Sequence, residues 1–309
     1  VNISFRQLRV FVAAARHASF GKAAEELHLT PPAVSMQIRE LESQVGLPLF
    51  ERSGRKVILT ITGEYFLVYA RKILATLKDA EDAVAKFRGL KTGRLTLGMV
   101  STAKYFLPRL LGRFRSEYPG IEVRLSVGNR SQLVELMTRN EVDLAVMGRP
   151  PQELATRAEP FAAHPHVVVV APGHPLASRG HVPAQWLSRY GFIVREPGSG
   201  TRAAMERYFQ EFGVQPQIEM EMASNETIKQ AVMADMGVSF LSLHTIGLEL
   251  KQQLLVIPNV EGLPLVRRWY VVNTLSKLLS PAAEAFRYFV LEEGEAFLAG
   301  EFGALQKVQ

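Results

Sequence analysis

The stretch Ser19-Phe20-Gly21-Lys22-Ala23-Ala24-Glu25-Glu26-Leu27-His28-Leu29-Thr30-Pro31-Pro32-Ala33-Val34-Ser35-Met36-Gln37-Ile38-Arg39-Glu40-Leu41 decides how the chain begins. Ser19 suits an N-cap, and Phe20, Ala23, Ala24 and Leu27 follow it at helical spacing, the two alanines allowing another helix close approach. Thr30 is a second N-cap, and Pro31 suits the first helical position because the N–H it lacks would find no partner there. Val34, Ile38 and Leu41 mark the buried side of a helix running to about Val45, stopped by Gly46. With Val34 at 0° and each residue advancing about 100°, Ser35, Arg39, Pro32 and Met36 fall near about 100°, 140°, 160° and 200°, opposite the core. A polar face at the N-terminal half of such a helix is the geometry of a recognition helix in a major groove. Thr30, Pro31, Pro32, Ser35, Met36 and Arg39 are therefore candidate DNA contacts.

Upstream, Leu8, Phe11, Val12 and Ala15 give a further amphipathic helix from Phe5 to about Arg16. Downstream, Leu49 to Thr60 places apolar flanks around a Ser-Gly turn and predicts a small hairpin wing, with Arg52, Arg55 and Lys56 set to lie along phosphates or enter a minor groove. Residues 1–92 hold 14 Lys or Arg against 9 Asp or Glu, whereas residues 93–309 hold 22 against 21. The basic excess sits at the front, where a polyanion would be met. A plain three-helix core with a solvated basic turn is the competing reading.

The absence of cysteine removes thiol nucleophiles, iron–sulfur clusters, Cys-ligated zinc and disulfides. A reducing, cytoplasmic location is the expectation. The run Val10 to Ala15 breaks at Arg16 and His17 and reads as no export signal; no apolar run nears the ~18 residues of a membrane span.

Thr62 is expected to cap a long helix in which Phe66, Ala70, Ile73, Leu77, Ala80, Val84 and Phe87 form a heptad stripe, so these seven are candidate dimer contacts. Two linked units would face two half-sites related by the same two-fold axis.

Beyond Gly93, strand-like runs alternate with helical ones: Arg94–Val100, Tyr105–Tyr118, Ile121–Val127, Ser131–Arg139 and Val142–Met147 give a βαβαβ order and a parallel sheet. Prolines 150, 151, 160 and 165 break that rhythm, and Val167 to Ala171 is read as the crossing into a second lobe. There the predicted strands are Phe192–Arg195, Ile218–Met222 and Val238–Leu241, and the predicted helices Thr201–Phe212 and Glu226–Asp235. Trp269–Val272 returns the chain to the first lobe, and a helix from Ala282 completes it.

Ligands of such sheets sit beyond the strand ends, at helix N-termini. Ser101, Thr102 and Lys104 follow the first strand, Asn129 and Arg130 the second, and Gly148 with Arg149 the third. In the other lobe Arg195-Glu196-Pro197-Gly198-Ser199-Gly200-Thr201-Arg202 opens one helix and Ser224-Asn225-Glu226-Thr227 another. The hydroxyls of Ser199 and Thr201, the open backbone at Gly200, and the forks of Arg149, Arg195 and Arg202 suggest an anion site. Ordinary caps and ion pairs are the bland reading, with Ser199 and Asn225 as N-caps and Arg202 paired to a carboxylate. His164 and His166 flank a proline without a third metal ligand nearby and are read as surface or hinge residues.

Ser19 to Thr30, then Pro32-Ala33-Val34-Ser35, Ile38, Leu41-Glu42, Gly46, Pro48 to Arg52, Leu59-Thr60 and Gly63, resemble the winged helix-turn-helix of LysR-type transcriptional regulators. The resemblance spans the chain. It implies an α/β protein made of an N-terminal winged helix-turn-helix, a long coiled-coil linker helix and a C-terminal periplasmic-binding-protein-like (type 2) two-lobed effector domain. The implied bounds are 1–60, 61–92 and 93–309, with one lobe at about 93–166 and 268–309 and the other at about 167–267. Ser101 to Phe106, Met147 to Pro151, Ala163 to His166, Arg195 to Arg202 and Ser224 to Ala234 are similar to the subgroup that activates Calvin-cycle carbon-fixation operons. It implies an effector such as a phosphorylated metabolite or NADPH, no resident cofactor, and no catalysis. The implied partners are double-stranded DNA, a small anionic effector, the chain itself as homodimer or homotetramer, and RNA polymerase, without a membrane. The competing class is a ligand-binding enzyme or receptor of the same two-lobed fold with an appended helix bundle, although Gly198-Ser199-Gly200 lacks the spacing of a nucleophile elbow.

Members of the family usually carry Gln where this chain has Pro31, so a bidentate amide is missing from the reading face. Pro31→Gln is expected to change affinity or base preference in gel-shift assays across operator variants, and indistinguishable binding would reject that role.

Overall fold

The computed structural model describes residues 3–53, 56–85 and 92–306. It divides into two compact units, Val1–Val84 and Ala85–Gln309.

In the first unit α1 (Phe5–His17), α2 (Phe20–Glu26) and α3 (Pro31–Val45) precede a hairpin of β1 (Phe50–Ser53) and β2 (Lys56–Leu59), and α4 (Ile61–Ala85) follows. Each of the first three helices starts on a side-chain cap: Ser4 accepts from the Gln7 N–H, Ser19 from Lys22 and Thr30 from Ala33. Gly46 closes α3 in the left-handed region at φ 80°. Phe11 is the hub, with ring centroids of Phe50 and Phe66 each 5.3 Å away. Ala23 and Ala24 are fully packed, and Val34, Ile38 and Leu41 are the buried side of α3. The Glu42 carboxylate accepts from the N–H groups of Leu49 (2.8 Å) and Phe50 (3.0 Å), which ties the end of α3 to the hairpin.

Thr60, rather than the expected Thr62, starts α4. Its hydroxyl accepts from the Gly63 N–H at 3.0 Å and donates to the Pro48 carbonyl at 2.7 Å. Gly63 lies so close to this turn that a Cβ there would sit 2.0 Å from the Leu49 carbonyl oxygen. The expected heptad stripe is divided. Phe66 and Ala70 pack into the winged-helix core, Leu77 is half-buried, and Ile73 and Ala80 are exposed. Phe87 lies outside the described residues, as does the side chain of Val84. The apolar row left uncovered is Ile61, Tyr65, Val68, Tyr69 and Ile73, between 77% and 45% exposed.

The second unit contains β3 (Gly93–Val100), a 3-10 turn (Ser101–Tyr105), α5 (Leu107–Glu117), β4 (Ile121–Gly128), α6 (Arg130–Thr138), β5 (Leu144–Met147) and β6 (Thr156–Val169). Then come β7 (Gly191–Arg195), α7 (Gly200–Glu211), β8 (Gln217–Met222), α8 (Asn225–Met233), β9 (Ser239–Ser242), α9 (Gly247–Lys251), β10 (Leu265–Thr274) and α10 (Pro281–Gln306). The main sheet has the order β4-β3-β5-β10-β6-β9. β3 is parallel to β4 and β5, whereas β10 is antiparallel to both β5 and β6.

β6 overturns the expected Pro-rich break. It is one 14-residue strand containing both Pro160 and Pro165. Its first part pairs with β10, and from His166 onward it pairs with β9, so a single strand passes from one core into the other. Pro160 is accommodated beside a register shift between Trp269 and Tyr270, where the ladder has no bond for its nitrogen to supply. Past His166 the side chains alternate: Val168 and Val170 join the core with Phe192 and Tyr208, Val167 and Val169 the one with Ile228 and Leu241.

A charge in the uncovered row of α4 would oppose helix pairing there. Tyr69→Asp is expected to lower the oligomeric state in sedimentation equilibrium without changing the helical circular-dichroism signal; an unaltered state would remove that row from the dimer seam.

Candidate functional site

On the first unit, Thr30, Pro31, Pro32, Met36 and Arg39 are exposed and Ser35 is half-buried; Pro32, Ser35, Met36 and Arg39 lie on the side of α3 away from Val34, Ile38 and Leu41, while Thr30 caps the helix and Pro31 opens it. Ser35 and Arg39 border a recess of about 180 Å³ between α3 and the hairpin, closed by Phe20, Glu42, Phe50, Glu51 and Val57. Among the described residues the Arg39 guanidinium has no ion-pair partner and is available to a base edge or phosphate. Arg55 lies outside the described residues, as do the side chains of Arg52 and Lys56; β1 and β2, on which Arg52 and Lys56 sit, pair in register Arg52↔Val57 and Ser53↔Lys56.

In the second unit eight of the expected effector residues converge: Ser101, Thr102, Asn129, Arg149, Arg195, Ser199, Gly200 and Thr201 line one narrow cavity of about 20 Å³. That is room for about one water, so the two lobes are drawn together. A recess of about 230 Å³ adjoins it and shares Arg130, Arg149 and Ser199. The lobes touch through Arg195 Nη2 to Ser101 Oγ (3.2 Å) and Asn129 Nδ2 to Glu196 Oε1 (3.3 Å). Gly198, at φ 82°, lets the loop approach Ser131 closely.

The arginines divide by counter-charge. Arg195 is 3% exposed; its Nε and Nη2 grip both oxygens of Glu196, and its Nη1 donates to Asn225 Oδ1 at 2.7 Å. It is an internal strut, not the open anion fork expected. Arg202 takes the bland alternative, bonding Glu206 at 2.5 Å, Glu221 at 3.4 Å and the Arg195 carbonyl at 3.1 Å. Arg130 forks onto Glu153 at 3.0 and 3.1 Å and holds that carboxyl down to about pKa 2. Arg149 differs: among the described residues its guanidinium makes no hydrogen bond or ion pair.

Arg267, on β10, is the cation that sequence reading missed. Nη2 donates to the Gly148 carbonyl at 2.8 Å and Nη1 to the Gly200 carbonyl at 3.1 Å, one on each side of the cleft. Among the described residues it meets no carboxylate, and burial together with Arg207, Arg149 and Arg130 lowers its pKa to about 10. The signal was present: period two puts Arg267 on the same face as Trp269 and Val271, both fully buried. The positive charge borders the N-terminus of α7, where Ser199 makes no side-chain cap and leaves the first N–H groups to another acceptor.

The remaining expected residues lie elsewhere. Ser224, not Asn225, caps α8 by accepting from the Thr227 N–H, and Thr227 is otherwise exposed. Asn225 is buried because its amide oxygen holds Arg195. Lys104 pairs with Glu226 at 3.6 Å outside the cleft.

His164 and His166, expected at the surface or in a hinge, are buried rather than at the surface and lie on β6 where that strand passes from one core to the other. His164 lines the cleft and stacks on Trp269, ring centroids 3.8 Å apart. Trp269 Nε1–H donates to His244 Nδ1 at 3.0 Å. Desolvation lowers the pKa of all three histidines, to about 3 for His166 and about 4 for His244, so they fold neutral. No group of three or more potential ligands is disposed for a metal among the described residues.

Residues 5–64 match the family model described as bacterial regulatory helix-turn-helix protein, lysR family, and residues 88–295 match LysR substrate binding domain. The chain is 48% identical to the HTH-type transcriptional regulator CfxR of Cupriavidus necator, over 98% of this chain and 96% of that protein. It is 50% identical to the HTH-type transcriptional regulator CbbR of Rhodospirillum rubrum, over 92% and 95%. The second unit is similar to the CcmR regulatory domain of Synechocystis PCC6803 in complex with 2-PG, at 42% identity and a TM-score of 0.63, covering 65% of this chain and 97% of that one.

The neutral histidines set a pH dependence. The unfolded chain binds protons near 6.5 and the native one only far lower, so stability falls as pH drops from about 6.5 toward about 4. Each histidine is expected to remove about 1.4 kcal/mol per pH unit, equivalent to about 3–6 °C in melting temperature for a unit of this size. The contribution of Glu153 is fully present above about pH 4.5 and is lost only as pH falls from there toward about 2, outside this window. Calorimetry between pH 7 and 5 checks this, and a flat melting temperature would contradict it.

Proposed function

The chain belongs to the LysR family of DNA-binding transcriptional regulators, and from that premise we propose that it activates carbon-fixation genes when a small phosphorylated or carboxylated metabolite occupies the cleft. The regulatory class of its relatives displaces the reading as an enzyme or transport receptor. The names CbbR and CfxR and the 2-PG complex of CcmR support the metabolic assignment by similarity.

One observation carries the anion reading: Arg149 and Arg267 bring two guanidiniums to the uncapped end of α7, with no carboxylate among the described residues to neutralise either. A phosphate there would replace missing counter-charge and accept from α7 N–H groups. Arg149 follows β5 in one lobe and α7 opens the other, so such a ligand would favour the closed arrangement through differential affinity for two states.

In this reading residues 1–60 bind double-stranded DNA, 61–92 join the two parts and 93–309 sense the metabolite, without a resident cofactor. A dimer, or a pair of dimers, engages two half-sites in the cytoplasm and acts on RNA polymerase at the promoter. Thr30 to Arg39 position α3, with Ser35, Met36 and Arg39 at base edges and the cations of the wing on phosphates. NADPH is a second candidate effector through its phosphates.

Thermal-shift titration with 2-PG, inorganic phosphate and NADPH tests the site. Stabilisation by at least one anion is expected, with Arg149→Ala weakening it about 10- to 100-fold through loss of a charge-assisted contact. Equal stabilisation of both proteins, or none by any anion, would sink the assignment.

A further inference from the structure

A second cavity, of about 280 Å³, lies away from the cleft, bounded by the start of α5, by α9 with the turn before it, and by the end of α10. Its apolar wall includes Leu248 and the Phe302 ring. Most of its lining is polar, and part of it is already satisfied, since Arg109 and Glu301 pair with each other. Lys229 is 4% exposed; its ammonium lies 2.7 Å from Glu249 Oε1 and 3.0 Å from Glu226 Oε2. The other oxygen of Glu249, Oε2, is buried without a hydrogen-bond partner. A buried carboxylate oxygen left unbonded is unfavourable and calls for a donor. His244 supplies the complementary group: because its Nδ1 accepts from Trp269 Nε1–H, the neutral ring carries its proton on Nε2. Lys251, exposed at the rim, adds a cation.

We propose that this cavity is a second ligand site, for an aromatic amino acid or hydroxy acid. The amine or hydroxyl donates to Glu249 Oε2, the carboxylate accepts from His244 Nε2–H and pairs with Lys251, and the ring packs on Phe302 and Leu248. A carboxylate without the donor leaves Glu249 unsatisfied and binds poorly.

The cavity touches the tie between the lobes. Tyr105 lines it and donates its hydroxyl to Glu226 at 2.5 Å, and Lys229 lies 4.7 Å from the centre of the Tyr105 ring. Tyr105 follows β3 in one lobe and Glu226 stands in the first turn of α8 in the other. A ligand that bonds Glu249 changes the carboxylate that holds Lys229 and, through Lys229, the Glu226 that Tyr105 bonds, so occupancy of the two sites is coupled in both directions. The coupling rests on the cleft being the anion site, whereas binding in the cavity does not.

Isothermal titration of the full chain with L-phenylalanine, L-3-phenyllactate and 3-phenylpropionate tests the proposal. Phenylalanine, phenyllactate or both bind, and phenylpropionate binds about tenfold more weakly or not at all, as expected for one lost hydrogen bond to a charged group. Glu249→Gln, which puts an amide donor in place of the acceptor and leaves Lys229 bonded to Glu226, weakens the binding ligands by a similar factor. Arg149→Ala leaves their binding in place, which separates this site from the cleft. Equal binding of all three acids, absence of binding by both donor-bearing acids, or indifference to Glu249→Gln overturns the assignment.

Discussion

The antiparallel pairing of β6 with β10, which runs from Leu265↔His166 to Thr274↔Thr156, is the constraint on which the second unit depends. These two strands lie side by side in the middle of the sheet, and β6 continues into the other core. They also carry the side chains that decide the chemistry between the lobes: His164 and His166 on one, Arg267 and Trp269 on the other. Their backbone bonds hold the His164–Trp269 stack and fix Arg267 across the gap between the Gly148 and Gly200 carbonyls. A guanidinium is thus placed where no carboxylate reaches it among the described residues, and the strand pair that joins the cores also carries that charge.

Local structure was largely legible in the sequence. Caps at Thr30 and Gly46, the proline at the first position of α3 and the spacing of Val34, Ile38 and Leu41 are short-range signals, and the structure follows them. The βαβαβ order likewise emerged from alternating patterns. Thr60 and Thr62 were less separable, because the choice rests on a hydroxyl bond to Pro48, twelve residues earlier in the chain. The Pro-rich break was misread because β6 carries an extra residue, Phe161, between the partners of Trp269 and Tyr270, and that irregularity beside Pro160 is set by pairing with a strand about a hundred residues away.

The site was legible as a set of loops and illegible as a charge distribution. Strand ends and helix starts identified Ser101, Asn129, Arg149, Ser199 and Thr201. Which arginine stays free depends on carboxylates at separations from one residue (Glu196 for Arg195) to twenty-three (Glu153 for Arg130). Six arginine or lysine side chains near the cleft look alike in sequence and differ only in their neighbours. The heptad of α4 shows the same limit, since Phe66 and Ala70 were claimed by the core around Phe11 before any partner helix could use them.

The central claim is that free guanidinium charge at the mouth of α7 is the seat of the effector. A crystal structure of the chain soaked with 2-PG tests it most directly. The account predicts the phosphate or carboxylate between Arg149 and the N–H groups of Gly200 and Thr201, within hydrogen-bonding distance of both lobes. An anion bound elsewhere, with Arg149 left in solvent, would contradict it.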